Sequence, residues 1–244
     1  MTYCLAMRLD AGLIFASDSR TSAGVDNVSI YSKMHRFKTR DDRIVVLLSA
    51  GNLATTQAVV NQINRDLDNP EIERDLNHFS NLDELTSYVG DISSAVQEAH
   101  ADQAEQSAFT ASFILGGQIL GRAPDVFLVY PQGNHIAASK QRPFLQIGET
   151  KYGKPILDRI IEPSTAMEHA ARCALVSMDA SMRSNLSVGP PIELLLYEAN
   201  TIDQYRELRF DEGDPFLRET SKAWTEGLDA LFAYLPRFYW EPGG

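Results

Sequence analysis

The sequence contains very little cysteine, since Cys4 and Cys173 are the only two among 244 residues. Two cysteines can form at most one disulfide, which excludes a small scaffold held together by several disulfides. The N-terminal segment lacks the basic start and apolar core of a signal peptide. No apolar run approaches the ~18 residues that a membrane-spanning helix needs. We therefore expect a cytoplasmic protein.

Positive charge is also scarce. Lysine and arginine total 22 against 33 aspartates and glutamates, which gives a formal net charge of -11 at pH 7. This charge disfavours nucleic acid and anionic membrane surfaces as partners. Hydrophobic residues make up 44% and charged residues 23% of the chain, as in ordinary globular proteins. Because no repeat or linker divides the sequence, we expect residues 1–244 to form a single domain.

Several common catalytic motifs are absent. There is no Gly-x-Ser-x-Gly elbow, no His-Glu-x-x-His zinc motif and no Gly-x-Gly-x-x-Gly loop. The histidines show no ligand spacing and are expected to be structural or solvated; they are His35, His78, His100, His135 and His169. The sequence therefore predicts no metal site and no cofactor.

A threonine follows Met1, and a catalytic site can be assembled around it. The small side chain of Thr2 makes Met1 a suitable substrate for methionine aminopeptidase, which would leave Thr2 with a free α-amine. That amine has a reference pKa of about 8, and a threonine paired with its own amine is a known activated nucleophile. Asp18 and Lys33 would supply supporting charges. Gly51, between an apolar strand and a predicted helix, would supply a backbone N–H for an oxyanion.

These residues lie in segments that resemble the proteasome β-subunit family. The segments are Thr2, the Asp-Ser-Arg…Gly run at 18–24, Lys33-Met34 and Ser-Ala-Gly-x-x-Ala at 49–54. The start Met-Thr-Tyr-Cys and the segment Ala-Gly-Asn-Leu-Ala-Thr-Thr-Gln are similar to the bacterial ancestral β-subunit branch, Anbu. The resemblance continues through 147–150 and 184–191 and covers most of the chain. It implies an N-terminal-nucleophile hydrolase, an enzyme that cleaves amide bonds.

Peptide hydrolysis assigns a role to each residue of the proposed catalytic set. Lys33 would lower the pKa of the Thr2 hydroxyl electrostatically, and Asp18 would keep Lys33 oriented and charged. Gly51 would donate to the oxyanion. The resemblance adds Ser187 to this set. It also implies that Ser22 and Ser49 line the substrate channel, that Thr21 and Leu53 form a small, mostly neutral first specificity pocket, and that Arg20 holds a carboxylate or carbonyl near the site.

The chain departs from the family pattern at three places. The spacing from Thr2 to Lys33 is one residue shorter than usual. Gly148-Glu149-Thr150 stands where the family has Gly-Ser-Gly near the nucleophile's amine. The family's Arg-Asp-x-x-Ser-Gly-Gly segment is Arg183-Ser184-Asn185-Leu186-Ser187-Val188-Gly189 here, so an auxiliary aspartate is missing. Asp179, upstream on a predicted helix, is one candidate to replace it.

Apolar patterning predicts strands, two helices, strands, two helices, strands and a last helix. The strands are predicted at 2–9, 12–17, within 27–37, 44–48, 109–116, 125–130, 135–139, 143–148, 192–197 and 204–210. The helices are predicted from Gly51 to about 68, from 82, at 150–161, at 166–182 with a capping box at 165–168, and from 214. This order is typical of a layered α+β protein. The family resemblance implies a four-layer αββα sandwich of the N-terminal-nucleophile hydrolase type.

The C-terminal segment at about 214–244 predicts self-association. Its helix has an apolar stripe, expected to face the core, at Leu217, Trp224, Leu228, Leu231 and Leu235. Beyond that stripe, residues 231–240 are dense in aromatics, and an exposed patch of that kind marks an interface. We therefore expect a homo-oligomer, and the resemblance implies stacked rings or an open helical assembly. No unfoldase partner is indicated.

Three functions fit these observations. The first is a threonine peptidase that acts on peptides inside a self-compartmentalised homo-oligomer. The second is a ring-forming scaffold with little or no activity, which the altered segments at 148–150 and 183–189 favour. The third keeps the chemistry but acts on small amides or modified peptides. A probe for a reactive threonine separates the catalysts from the scaffold.

Overall fold

The computed structural model describes residues 1–22, 28–99 and 109–241. Residues 23–27 lie outside the described residues, and with them the end of the 18–24 run and the start of the predicted 27–37 strand region. The last three residues of the C-terminal segment, 242–244, also lie outside them.

The first of two large sheets has five strands. Their spatial order is β10 (Phe144–Gly148), β1 (Tyr3–Leu9), β2 (Gly12–Asp18), β11 (Ile192–Glu198) and β12 (Tyr205–Phe210). All neighbouring strands in this sheet are antiparallel. β1 and β2 are almost fully buried along their length because both faces of the sheet are covered. This sheet carries Thr2 at the start of β1 and Asp18 at the end of β2.

The second large sheet also has five antiparallel strands. Their order is β5 (Met34–Arg36), β6 (Arg43–Gly51), β7 (Ala111–Ile119), β8 (Asp125–Val129) and β9 (His135–Ala137). A separate pair joins β3 (Arg20–Ser22) to β4 (Val28–Ile30), and β3 was not predicted from the sequence. The second sheet carries Lys33 just before β5 and Gly51 at the end of β6.

Helices cover the outer face of each sheet. α1 (Leu53–Asp68) and α2 (Leu82–Glu98) pack on the second sheet, where Val59 and Val89 join a cluster of buried strand residues. α3 (Lys154–Ile160) and α4 (Met167–Ser184) pack on the first sheet through Leu157 and Met178. A third cluster, which includes Phe15, fills the space between the two sheets. The four layers are therefore helix, sheet, sheet and helix, as predicted.

Side chains of β1 show how one strand serves two layers. Tyr3, Leu5 and Met7 face the cluster beneath α3 and α4, whereas Cys4 and Ala6 face the second sheet. Successive side chains on a strand point to opposite faces, so alternation between two apolar faces leaves a continuous apolar run in the sequence.

The predicted capping box before α4 is wrong. The residue that precedes the helix is Ala166, which makes no side-chain cap hydrogen bond. The Thr165 hydroxyl instead accepts from the N–H of Glu162 at 2.9 Å and donates to the carbonyl of Ile160. Thr165 therefore closes the turn that leaves α3 and does not start α4.

The predicted core stripe of the last helix, α5 (Pro215–Phe232), is also wrong. Asp214 caps this helix as expected, since its carboxylate accepts from the N–H groups of Phe216 and Leu217. However, no residue of α5 is buried, and only Leu217 packs against a core cluster. The remaining apolar side chains of the stripe are at least partly exposed. Within the described part of the chain, no helix is long and apolar enough to span a membrane.

Candidate active site

The ends of several strands meet at a cavity of about 490 Å³ beside the N-terminus. Thr2 precedes β1, Lys33 precedes β5 and Gly51 ends β6, so all three reach this cavity from different elements. The residues that line it are Met1, Thr2, Thr21, Tyr31, Ser32, Lys33, His35, Ser49, Ala50, Gly51, Leu53, Thr56, Gln57 and Gly148. Because the two sheets are stacked, residues as far apart in the sequence as Met1 and Gly148 line the same cavity.

A buried ion pair lies beside the cavity. The Lys33 Nζ donates to Asp18 Oδ1 at 2.8 Å and to the carbonyl oxygen of Arg20 at 2.6 Å. Asp18 also accepts from the backbone N–H of Tyr3 at 2.9 Å and of Gly189 at 3.3 Å. Asp18 is fully buried and Lys33 is only 5% exposed. Because several donors fix the carboxylate, Asp18 holds Lys33 in one position.

Burial is the largest cause of the pKa shifts of two groups in this site, and neighbouring charged groups partly oppose it. Burial raises the pKa of Asp18, whereas Lys33 and the two backbone N–H groups oppose that rise. The α-amine in this structure belongs to Met1, and burial is the largest cause that lowers the pKa of this amine. Lys33 lowers it further, while Asp18 and Glu149 raise it. Burial and Lys33 therefore favour the neutral form of the Met1 amine, which is the form that can accept a proton.

Gly51 has a backbone conformation that favours glycine. Its φ is +116°, and a Cβ there would overlap the carbonyl oxygen of Thr110. Gly51 ends β6, and Asn52 caps α1 by accepting from the N–H of Thr55 at 3.1 Å. The strand-to-helix turn thus brings the backbone of Gly51 to the wall of the cavity that Thr2 also lines.

The predicted substrate-binding residues divide into two groups. Thr21, Ser49 and Leu53 line the cavity. Ser22 pairs with Val28 in the small β3–β4 sheet. Arg20 does not line the cavity; its guanidinium donates to the carbonyl oxygen of Leu186 at 3.0 Å. Arg20 therefore holds a carbonyl of the protein itself, in the loop that follows α4.

Ser187 lies in that same loop and does not line the cavity. Its backbone N–H donates to Asn185 Oδ1 at 3.0 Å, and the amide nitrogen of Asn185 donates to Glu149 Oε2 at 3.1 Å. Asp179, the candidate for the missing aspartate, instead accepts from Arg183 Nε at 3.0 Å on the surface of α4. Glu149 is a second acidic residue next to the start of β1, in addition to Asp18, and its backbone N–H donates to the carbonyl oxygen of Thr2 at 2.7 Å.

Sequence reasoning missed His35 as a site residue. Its Nε2 lies 3.3 Å from Ser49 Oγ in the cavity wall, and burial lowers the pKa of His35 to about 4. The signal that could have found it is alternation, because His35 lies within β5, two residues after Lys33, and alternate side chains of a strand share a face. Among the described residues that line the cavity, none is acidic.

Cys4 lies two residues after Thr2, but its thiol is poorly suited to act as a nucleophile. It is fully buried and faces the second sheet, where its thiol donates to the carbonyl of Ser49 at 3.6 Å. Burial raises the pKa of Cys4 well above its usual value, which keeps the unreactive thiol form. Cys4 and Cys173 are both free thiols, so the disulfide left open by the sequence is absent.

Comparisons with known proteins agree with this architecture. The family described as proteasome subunit matches residues 2–195. The Anbu (Gly-1) mutant from Hyphomicrobium sp. strain MC1 is 43% identical with a TM-score of 0.91, over 98% of this chain and 99% of that one. Anbu (ancestral beta-subunit) from Yersinia bercovieri is 42% identical with a TM-score of 0.89, over 97% and 99%.

A third similar structure is the helical assembly of the Anbu complex from Pseudomonas aeruginosa, which is 40% identical with a TM-score of 0.88 and covers 99% of both chains. No curated protein matches the chain. A family match over most of the chain, together with full-length relatives at about 40% identity, shows that the chain belongs to the proteasome subunit family and is similar throughout to its Anbu members.

Proposed function

We propose that the protein is a threonine-type N-terminal-nucleophile peptidase that acts in the cytoplasm, within a homo-oligomer that encloses its active sites. The observation that carries this proposal is the shared cavity wall of Thr2 and Lys33, with Lys33 held by the buried carboxylate of Asp18 at 2.8 Å. A lysine can lower the pKa of a neighbouring hydroxyl only if it stays charged and in place, and the buried aspartate holds Lys33 in that way.

The proposed reaction has two stages. After Met1 is removed, Thr2 Oγ attacks the peptide carbonyl carbon and its proton passes to the α-amine of Thr2. The carbonyl oxygen becomes an oxyanion, to which the Gly51 N–H would donate. The C–N bond then breaks, the leaving amine takes the proton, and an ester on Thr2 remains. Water attacks that ester with the α-amine again as base, which releases the carboxylic acid and restores Thr2.

The cavity would receive the side chain on the acyl side of the cleaved bond. Thr21, Ser49 and Leu53 present hydroxyls and one apolar side chain to it, and His35 is neutral at pH 7 because its pKa is about 4. Lys33 is the one fixed cation among the described lining residues, and none of them is acidic. We therefore expect a preference for uncharged side chains and poor cleavage after lysine or arginine.

Self-association is supported by the C-terminal segment and by the relatives. Tyr234, Tyr239 and Trp240 are 84%, 91% and 64% exposed. A group of exposed aromatic side chains such as this marks a surface that another subunit covers. The relative from Pseudomonas aeruginosa forms a helical assembly. We propose that α5 and the segment after it form an intersubunit surface, and that the whole chain 1–244 acts as one proteasome-type domain.

The state of the N-terminus provides the test. With Met1 attached, the nitrogen of Thr2 is an amide and cannot accept the proton of the hydroxyl. Loss of a general base typically lowers the rate ~10²–10⁴-fold. The chain is produced with a removable N-terminal fusion that leaves Thr2 first, and blocked and trimmed samples are compared by intact mass and by turnover of a peptide library. A Thr2→Ala chain trimmed in the same way is the control.

The expected result is turnover by the trimmed chain only. Equal turnover by the blocked and trimmed chains would show that the free amine has no role. Absence of turnover on peptides and small amides by correctly trimmed, assembled protein would favour the scaffold instead.

A further inference from the structure

Glu149 is a buried carboxylate beside the N-terminus that the proposed reaction does not use. It is 5% exposed and follows directly after β10. The backbone N–H of Glu149 donates to the carbonyl oxygen of Thr2 at 2.7 Å, which extends the pairing of Tyr3 with Gly148 by one residue. Glu149 is thus fixed to the nucleophile's own residue through the backbone.

Gly148 makes this close approach available. Its φ is +82°, and a Cβ at this position would overlap the carbonyl oxygen of Thr2. Any side chain at 148 would therefore push the two strands apart at the place where Glu149 meets Thr2. Gly148 therefore keeps the backbones of Glu149 and Thr2 in contact.

The side chain of Glu149 has an amide partner and no cationic one. Asn185 Nδ2 donates to Glu149 Oε2 at 3.1 Å, and Asn185 is itself oriented by the N–H of Ser187 at 3.0 Å. No arginine, lysine or histidine forms an ion pair with Glu149 in the described part of the chain. A buried carboxylate is costly unless a cation or several donors compensate it. The α-amine of Thr2 is a cationic group that could compensate it, because the backbone of Glu149 is hydrogen-bonded to Thr2 at 2.7 Å. In the chain that still carries Met1, Glu149 already raises the pKa of the Met1 amine.

We propose that Glu149, oriented by Asn185, is a positioning residue that binds the α-amine of Thr2 once Met1 has been removed. This inference rests on the proposed function, because it assigns a partner to the base of that reaction. A neutral amine has two N–H bonds and one lone pair. When one N–H donates to the Glu149 carboxylate, the lone pair is free to point at Thr2 Oγ. After the proton transfer, the same carboxylate stabilises the ammonium.

The signs of three charged groups give the expected pH dependence. Burial and Lys33 lower the pKa of the Met1 amine, whereas Asp18 and Glu149 raise it, and we expect the same signs for the amine of Thr2 after Met1 is removed. Glu149→Gln would remove one of the two charges that raise the pKa of the amine, so burial and Lys33 would lower that pKa further. The amine of a Glu149→Gln chain should then lose its proton at lower pH than the wild-type amine does.

The test measures the amine directly, in trimmed full-length protein. The rate of acetylation of the Thr2 amine by acetic anhydride is followed from pH 5 to 10 by mass spectrometry. We expect the Glu149→Gln titration to shift to lower pH, and Glu149→Asp to restore part of the shift. Glu198→Gln is the matched control, because Glu198 is an exposed glutamate at the opposite end of β11 from the site and should leave the titration unchanged.

Kinetics supply a second readout. In Glu149→Gln we expect the acid limb of the pH profile of kcat/KM to move to lower pH. We also expect kcat to fall about tenfold or more, with KM little changed. Coincident amine titrations of Glu149→Gln and wild type would overturn the proposal. If Glu149→Gln does not fold, Glu149→Ala replaces it in both measurements. If the titration of Glu149→Gln is shifted but the trimmed wild-type protein has no turnover, the contact between Glu149 and the amine is supported and the peptidase function is rejected.

Discussion

The Asp18–Lys33 pair defines the site at the scale of single residues, and it ties catalysis to stability. Lys33→Ala would remove the charge that lowers the pKa of the Thr2 hydroxyl, so we expect turnover to fall about 10²-fold or more. It would also leave Asp18 buried without its cation, which typically costs about 3–5 kcal/mol of unfolding free energy. Peptide turnover and urea unfolding measure the two effects, and exposed Lys38→Ala is the control.

A second substitution separates the two effects. Asp18→Asn in the Lys33→Ala background removes the unpaired charge, so part of the lost stability should return while turnover stays low. Recovery of turnover together with stability would mean that Lys33 acts only by supporting the fold.

His35 predicts a pH dependence of stability. Burial lowers its folded-state pKa to about 4, below the ordinary value of 6.5. The unfolded chain therefore binds a proton between these two values while the folded chain does not. The stabilising contribution is complete above about pH 6.5 and is lost as the pH falls towards 4, on the order of 1–3 kcal/mol. Urea unfolding at several pH values should show a shallower dependence for His35→Gln.

The exposed His169→Gln supplies the comparison for that series. Carboxylates also titrate in this pH range, but they are common to all three proteins and cancel in the difference. Parallel curves for wild type and His35→Gln would contradict the assigned environment of His35.

The sequence predicted the local part of this site and missed the long-range part. Thr2, Asp18, Lys33 and Gly51 were proposed because each lies in a short segment with its own pattern. The structure brings Thr2, Lys33 and Gly51 to one cavity and pairs Lys33 with Asp18. Glu149 and Asn185 were noted only as departures, since their contact joins a strand end to the loop after α4. Such a contact depends on how α4 packs on the first sheet, which no local pattern encodes.

The edge between β10 and β1 is the element on which the geometry of the site depends most. Gly148→Ala should lower the unfolding free energy by about 1–3 kcal/mol more than Gly121→Ala. Both glycines have a φ of +82°, so the two alanines carry similar backbone strain. However, a Cβ meets no atom within 4 Å at Gly121 and overlaps the Thr2 carbonyl oxygen at Gly148. Thermal or urea unfolding gives the difference, and equal losses would contradict it.

At this scale the strands and helices followed from apolar patterning, and the errors have physical causes. β1, β2 and β6 were predicted because strands buried on both faces form continuous apolar runs. The capping box before α4 failed because Thr165 bonds backwards to Glu162. The stripe of α5 failed because a helix with an apolar face can meet its own core or another subunit, and periodicity does not distinguish the two.

Self-association is the prediction for the whole molecule. The exposed apolar side chains of α5 and the segment that follows include Phe232, Tyr234 and Trp240. We expect light scattering to give a mass that is a multiple of the 27.1 kDa subunit. Tyr234→Glu with Trp240→Glu should lower that mass, because two charges would be buried without partners.

Leu120→Glu is the matched control for that experiment, since Leu120 is 59% exposed in the turn after β7, away from the C-terminal segment. It should leave the mass unchanged. A wild-type mass of one subunit at micromolar concentration would contradict the assembly, and with it the enclosed active site.

Covalent labelling of Thr2 directly tests whether this residue is the nucleophile. A peptide epoxyketone presents two electrophilic carbons, which suit a residue that carries both a hydroxyl and a free amine. Trimmed wild-type protein, trimmed Lys33→Ala and the Met1-bearing chain are treated alike and digested for mass spectrometry. We expect a stoichiometric adduct on Thr2 of the trimmed wild type and very little on the other two. An unmodified Thr2 in trimmed, assembled protein, or equal labelling of the Met1-bearing chain, would contradict it.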